Sequence, residues 1–330
     1  MRPYSATDQI WSIILAGVEV TRLRSLVQRW LGRPKPKQYC AFVGARSMFQ
    51  HTLDRAARLM PPDRIVTVVA QSHRHDALAQ LEGRGGTMVF QPVNRNTAAG
   101  VFLPLTYIRA KAPQATVVLY PSDHFVYPED RFLEAVRRAI RIAESRPDLM
   151  VMLGVAPDRL ELDDGWVQPC QFIANLTDEP VQAVHSFLEK PDAAQADAAL
   201  RSGALWNTLV CAANVELLWT LGRQCLPDMM PLFDRLSQVI GGPEEGRVLE
   251  AMYRDMPAKN FSSDLLQHVP EQLAVVELTG ALWSDWGKPE RIAETLRWID
   301  RRPAFPLACL DRPFASLPMT TAAGELPMRV

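Results

Sequence analysis

Lysine is scarce in this chain of 330 residues. It occurs only at positions 35, 37, 111, 190, 259 and 288, and arginine supplies the rest of the 36 basic residues. A formal charge of −1 leaves no surplus of either sign, which argues against a general nucleic-acid binder. The five cysteines (40, 170, 211, 225 and 309) include no CxxC pair. That disfavours a zinc site and a disulfide framework and fits a reducing cytoplasm. No uninterrupted apolar run approaches the ~18 residues of a membrane span. The run from Ile10 to Val18 has the look of a signal-peptide core, but Asp8 lies just before it and Glu19 directly after, and no small-residue cleavage pattern follows. It reads better as a first core strand. Internal repeats and low-complexity segments are also missing.

Apolar residues make up 48% of the chain, enough for a large core in one α/β domain or two smaller ones. Strand and helix patterns take turns through the first half. Strands are expected at Trp11–Ala16, Arg64–Ala70, Thr87–Phe90, Thr116–Tyr120 and Leu149–Gly154. Helical spacing covers Ser47–Leu59, His73–Glu82, Thr97–Ala112 and Arg131–Arg146. Such alternation predicts βαβ units and a mostly parallel sheet. The second half is less regular. Strands are expected at Gln182–Leu188 and Leu205–Ala213, a helix at Ala193–Ser202, and broken helix over Val215–Gly241. This half is expected to cover the open face of the sheet. After Ile299 the prolines 303, 306, 313 and 318 break any long element, and the last dozen residues are expected to be mobile.

In an open α/β sheet, chemistry collects beyond the carboxyl ends of the strands. Asp123, in Tyr120-Pro121-Ser122-Asp123-His124, sits at such an end. Asp285, in Trp283-Ser284-Asp285-Trp286-Gly287, follows the apolar stretch Leu273–Val276 in a similar setting. Two distant carboxylates at two strand ends suggest a shared divalent cation. The turn Leu15-Ala16-Gly17-Val18-Glu19-Val20-Thr21-Arg22-Leu23 leads from the first strand into a helix, a place where backbone N–H groups and a helix dipole can meet a phosphate. Together these features point to phosphate chemistry.

That turn resembles the loop Leu-Ala-Gly-Gly-x-Gly-Thr-Arg-Leu of sugar-1-phosphate nucleotidyltransferases. Further segments resemble the mannose-1-phosphate guanylyltransferases among them. Pro36-Lys37-Gln38-Tyr39 is similar to their Pro-Lys-Gln-Phe, and Arg95-Asn96-Thr97-Ala98 and Pro121-Ser122-Asp123-His124 match outright. Phe187-Leu188-Glu189-Lys190-Pro191 resembles Phe-Val-Glu-Lys-Pro, Leu205-Trp206-Asn207 matches Leu-Trp-Asn, and Trp283–Gly287 resembles Trp-Ser-Asp-Val-Gly. The segments fall in family order across residues 11 to 299.

The resemblance implies a Rossmann-like mixed, mostly parallel sheet flanked by helices, of the nucleotide-diphospho-sugar transferase type. It implies a catalytic domain over 1–300, with a nucleotide-binding half at about 10–155 and a sugar-binding half at about 156–300, followed by a partly disordered tail at 301–330. The implied reaction is mannose 1-phosphate plus GTP giving GDP-mannose and pyrophosphate in the cytoplasm. Its partners would be GTP or another nucleoside triphosphate and a sugar 1-phosphate, with no nucleic acid and no membrane; oligomeric state stays open, a homodimer being one arrangement. By the same resemblance Asp123 and Asp285 would hold Mg2+, and Arg22 and Lys37 would screen the phosphates. Lys190 would meet the sugar phosphate, with Glu189 and Asn207 on sugar hydroxyls. Leu15, Ala16, Gly17, Ser122 and Gly165 would support the substrates, and Arg95 and Asn96 would shape the base and ribose side.

Simpler readings stand beside these. Arg22 pairs only with an acid, Lys37 is a solvated lysine, Asn207 satisfies a turn, Glu189 and Lys190 form a local ion pair, and His124 is a structural partner of its strand end. The chain also departs from the pattern. Val18 and Val20 replace two loop glycines, and β-branched residues resist φ > 0. The family's Thr-Gly-Tyr-Gly-Tyr-Ile becomes Leu162-Asp163-Asp164-Gly165-Trp166-Val167. These changes support an alternative: a catalytically impaired relative that binds a nucleotide or sugar nucleotide in a regulatory or sensor role.

Overall fold

Runs of aliphatic and β-branched residues become strands, and the central ones of the first half are buried on both faces, as parallel strands between helix layers must be. The computed structural model describes residues 10–17, 22–81, 83–173 and 180–310. Positions 18 and 20, and the chain end expected to be mobile, lie outside the described residues. In chain order the strands are β1 (Ile10–Ala16), β2 (Ile65–Ala70), β3 (Thr87–Gln91), β4 (Thr116–Pro121), β5 (Phe125–Tyr127), β6 (Met150–Val155), β7 (Gly165–Phe172), β8 (Gln182–Glu189), β9 (Leu205–Asn214), β10 (Leu273–Glu277) and β11 (Leu282–Ser284).

Nine of them form one sheet in the order β3-β2-β1-β4-β9-β6-β10-β8-β7. The first four pair in parallel. β9 enters antiparallel between β4 and β6, β10 pairs in parallel with β6, and β8 and β7 close the far edge antiparallel. Only β8 and β9 therefore run against the other strands, which bears out a mixed, mostly parallel sheet. The second half does more than cover the first: its strand β9 lies in the middle of the sheet. The remaining strands, β5 and β11, form a separate antiparallel ribbon.

Alternation along β1 builds two cores. Trp11, Ile13 and Leu15 face the helices Asn96–Lys111, Val215–Cys225 and Met230–Ser237. Ile14 and Ala16 face the helices Met48–Ala57 and Glu129–Ser145. The latter buries Phe132, Val136, Ile140 and Ala143 on one side, as its spacing predicts. Ser47 and Gln50 cap the former reciprocally.

A third, smaller cluster joins Leu26, Phe42, Trp286 and Leu296 to Phe305 and Cys309. Residues 301–310 are thus packed on the domain. The Ala304 N–H donates to Phe42 at 2.8 Å, and Arg29 donates to the Cys309 carbonyl at 2.6 Å.

Candidate active site

The ribbon explains how two acids far apart in sequence meet. β5 pairs with β11 in the register Leu282↔Tyr127, Trp283↔Val126 and Ser284↔Phe125. Asp123 lies two residues before β5 and Asp285 one residue after β11, so continuing the antiparallel register sets Asp285 across from His124. Asp285 therefore does not follow the Leu273–Val276 strand directly, as the sequence suggested; a turn and the short β11 intervene. Ser122 fixes the other arm, since its N–H and its hydroxyl both donate to the Leu15 carbonyl, at 3.1 and 2.8 Å.

Lys37 sits between the arms. Only 2% of its side chain is exposed; its ammonium donates to Asp123 Oδ2 at 3.0 Å and to the Asp285 backbone carbonyl. It is no solvated surface lysine. A short 3₁₀ turn, Lys37–Tyr39, holds it in place, with Gln38 donating to the Ala16 carbonyl at 3.1 Å. Burial pushes the Asp123 carboxyl up, but the Lys37 ammonium, His124 and hydrogen bonds outweigh it and leave the group below its ordinary value. Burial holds the His124 imidazole down despite Asp123 beside it, so the ring is uncharged at neutral pH. It packs edge-on against Trp283 with ring centroids 5.2 Å apart, in keeping with a structural role.

These residues line a cleft of about 310 Å³ at the carboxyl ends of β1, β4 and β8. Leu15, Gly17, Arg22, Lys37, Asn96, Ser122, Asp123, Gly165, Glu189, Lys190, Asn207 and Asp285, all singled out from sequence, lie along it. A Cβ on Gly17 would stand 2.3 Å from the Gln91 side-chain oxygen, so any larger residue there must move the end of that side chain. Arg22 does pair with acids, donating to Asp163 at 2.7 Å and Asp285 at 3.4 Å. Asn207 does satisfy a turn, accepting from the Leu209 N–H at 2.9 Å. Burial pushes the Glu189 carboxyl up, with Lys190 and a Ser262 hydrogen bond pulling the other way. Lys190 holds the left-handed φ of 48°, a conformation that costs about 1–3 kcal/mol and recurs at ligand sites.

Two expected site residues are elsewhere. Ala16 is buried, and its carbonyl is taken by Gln38 and Tyr39. Arg95 turns away from the cleft and donates to the Tyr253 and Arg254 carbonyls at 2.8 and 2.7 Å. It braces the helix Glu245–Asp255. Arg95→Ala is therefore expected to lower Tm by a few degrees and leave nucleotide affinity unchanged, which thermal melts and calorimetry on one sample would check. Sequence reasoning missed Gln91, Asn94, Asp164, Asn260 and Ser262, which also line the cleft. Gln91 closes β3 and was within reach of the strand-end rule; Asn260 carried no local signal.

The model of the nucleotidyl transferase family matches residues 11–300. The chain belongs to that family. Members similar to it include mannose-1-phosphate guanylyltransferases of Salmonella typhimurium and Escherichia coli. The first is 26% identical over 83% of this chain and 56% of the relative, the second 25% identical over 86% and 59%. The chain thus spans a little under three fifths of the length of these relatives. A structure described as mannose-1-phosphate geranyltransferase from Thermus thermophilus shares the fold. Its TM-score is 0.72 at 24% identity, covering 86% of this chain and 79% of that one.

Two features of this nucleotidyltransferase-family cleft bear on cations and on its departures from the family. Among the described residues no group of three or more His, Cys, Asp or Glu side chains could hold a metal unaided. Asp123 and Asp285 are two carboxylates on one cleft, and Mg2+ can bind through one or two carboxylates while phosphate oxygens and water complete its shell. Asp163 puts a carboxylate on Arg22 where the family pattern has glycine; Lys288 reaches the same carboxylate at 3.3 Å. Next to Asp285, a Cβ on Gly287 would meet Asp285 Oδ2 at 2.3 Å and Arg22 Nη2 at 2.8 Å. Gly287→Ala is expected to push both side chains aside, lowering turnover by about 10- to 100-fold with little change in Tm. A steady-state assay paired with thermal melts measures both.

Proposed function

We propose that this protein transfers a nucleotidyl group from a nucleoside triphosphate, GTP, to a sugar 1-phosphate, mannose 1-phosphate, yielding GDP-mannose and pyrophosphate in the cytoplasm with Mg2+ as cofactor. One observation carries the reading. A ribbon joins Asp123 and Asp285 around the buried Lys37 in a cleft that also presents Arg22 and Lys190. The names of the similar family members supply the base and the sugar.

The chemistry asks for little beyond placement and charge. A sugar-phosphate oxygen, already ionised at neutral pH, attacks the α-phosphorus, and the bond to the β-phosphate oxygen breaks to release pyrophosphate. No general base is required, which suits a cleft whose histidine is packed edge-on against Trp283. The difficulty is bringing two polyanions together, so catalysis rests on positioning and neutralisation. Lys37 and Arg22 would meet the leaving phosphates, and Lys190 the sugar phosphate. Glu189 and Asn207, both beside Gly165, would take sugar hydroxyls. When bound, Mg2+ would add two further positive charges against the phosphate oxygens, held by Asp123 and Asp285.

The test is pyrophosphate release from purified protein with Mg2+, GTP and mannose 1-phosphate. No release with any common nucleotide and sugar phosphate would sink the reading. The Asp163–Arg22 pair and the valines at 18 and 20 favour a second reading, a binding-only relative. That reading predicts nucleotide-induced stabilisation without turnover. Restoring glycine at both valine positions separates the two: activity that appears only then marks the loop as the lesion.

A further inference from the structure

A second cavity, about 330 Å³, shares His124 with the cleft and is otherwise walled by different residues. Its apolar side is offered by Val43, Phe125, Tyr127 and Pro128, with the buried rings of Phe42 and Trp286 behind them. Arg46, Arg55 and Arg301 bring positive charge to it, Arg46 being paired with Asp54 behind the wall. Glu129 is the acid in its wall, and that carboxylate is already met by Arg55 at 3.3 Å and Arg58 at 3.8 Å. The local field is registered by His51, another wall residue: burial first, then Arg55 and Arg46, press its imidazole down to about 4. An apolar chamber with a few convergent polar groups is what a small-molecule site looks like.

We propose that this cavity is a second small-molecule site, taking a flat apolar or aromatic compound that bears an anionic group, and that its occupancy is transmitted to the cleft. The route is short. Trp286 follows Asp285 directly, and Phe125 is two residues after Asp123. Their rings stack with centroids 4.3 Å apart and planes 9° from parallel, and Phe42 meets Trp286 edge-on at 5.8 Å. Trp286 also holds the left-handed φ of 47°. A compound seated against this stack bears on the backbone that places both acids. Binding needs no turnover; the effect on rate rests on the proposed nucleotidyl transfer.

The probes are naphthalene-1-sulfonate and its neutral analogue naphthalene-1-sulfonamide, followed by ligand-observed NMR on the full chain. The sulfonate is expected to bind about tenfold tighter than the sulfonamide. Val43→Trp, which fills the cavity, is expected to abolish binding of both. Arg301→Glu and Arg46→Glu, both at exposed positions, are expected to erase the preference for the sulfonate and keep sulfonamide binding. GTP should not displace the sulfonate, and saturating sulfonate should change pyrophosphate release severalfold in the wild type but not in Val43→Trp. If no substrate turns over, GTP affinity measured by calorimetry takes the place of rate, with the same severalfold change expected. Equal affinity for the two probes, a preference that survives both charge reversals, or competitive displacement by GTP overturns the site. Binding with neither rate nor GTP affinity altered overturns the transmission.

Discussion

Lys37→Met is expected to reduce pyrophosphate release by about a thousandfold, because it deletes the cation that would stabilise charge on the departing phosphates. It should also cost about 3 kcal/mol of stability. The reason lies in the burial of the pair. Lys37 is 2% exposed, and its ammonium bridges the Asp123 carboxylate and the Asp285 carbonyl. Methionine matches its length and apolar stem but leaves Asp123 without its principal counter-charge. Asp123 keeps 22% exposure, which places the penalty at the low end for a broken buried pair. The double variant Lys37→Met/Asp123→Asn removes both charges, so it is expected to regain most of the stability and none of the turnover. Urea unfolding of the two variants and the wild type supplies the stabilities, and a coupled phosphate assay the rates. A Lys37→Met protein as stable as wild type would mean that the ion pair contributes nothing, and the account of the site would lose its centre.

Strands β1, β2 and β4 were readable because each is a mainly aliphatic run with at most a single Ser or Thr in it, buried on both faces. β7 was not: after Gly165, Trp166 and Val167 its residues become progressively exposed, and Pro169 interrupts it, so no run or alternation survives. β5 and β11 span three residues each, too few for any periodicity, yet they set the geometry of the site. The helix Glu245–Asp255 buries only Val248, Met252 and Tyr253 and reads as a polar stretch. The same division holds among the site residues. Lys37 stood out as one of few lysines inside a recognisable segment. Arg95 sat in an equally recognisable segment, but the carbonyls that hold it belong to Tyr253 and Arg254, about half the chain away. A motif places a residue in a loop; the direction of its side chain depends on distant partners that no local pattern reveals.

Asp164→Asn should stabilise the protein at pH 8, by on the order of a few kcal/mol, with the gain fading as pH falls toward 4. Asp164 is 8% exposed, and its Oδ2 has no hydrogen-bond partner among the described residues. Burial, then the neighbouring Asp285 charge, raises its carboxyl to about 7 against opposing pulls from Arg291 and Arg22. The sign follows from proton counting. Between an ordinary carboxyl value near 3.8 and about 7, the folded protein keeps a proton that the unfolded chain releases. Stability therefore declines as pH climbs through that window and stays low above it. Asparagine has the same shape and no charge to bury, so it escapes the decline. Thermal melts at pH 5 and pH 8, with a chelator present so that no divalent cation offsets the charge, should show a gain of several degrees at the higher pH and roughly half of it or less at the lower. An equal gain at both would point to hydrogen bonding by the new amide instead of relief of a buried charge. Removing this carboxylate also weakens the negative field at Asp285, so divalent-cation affinity measured on the same variant should fall.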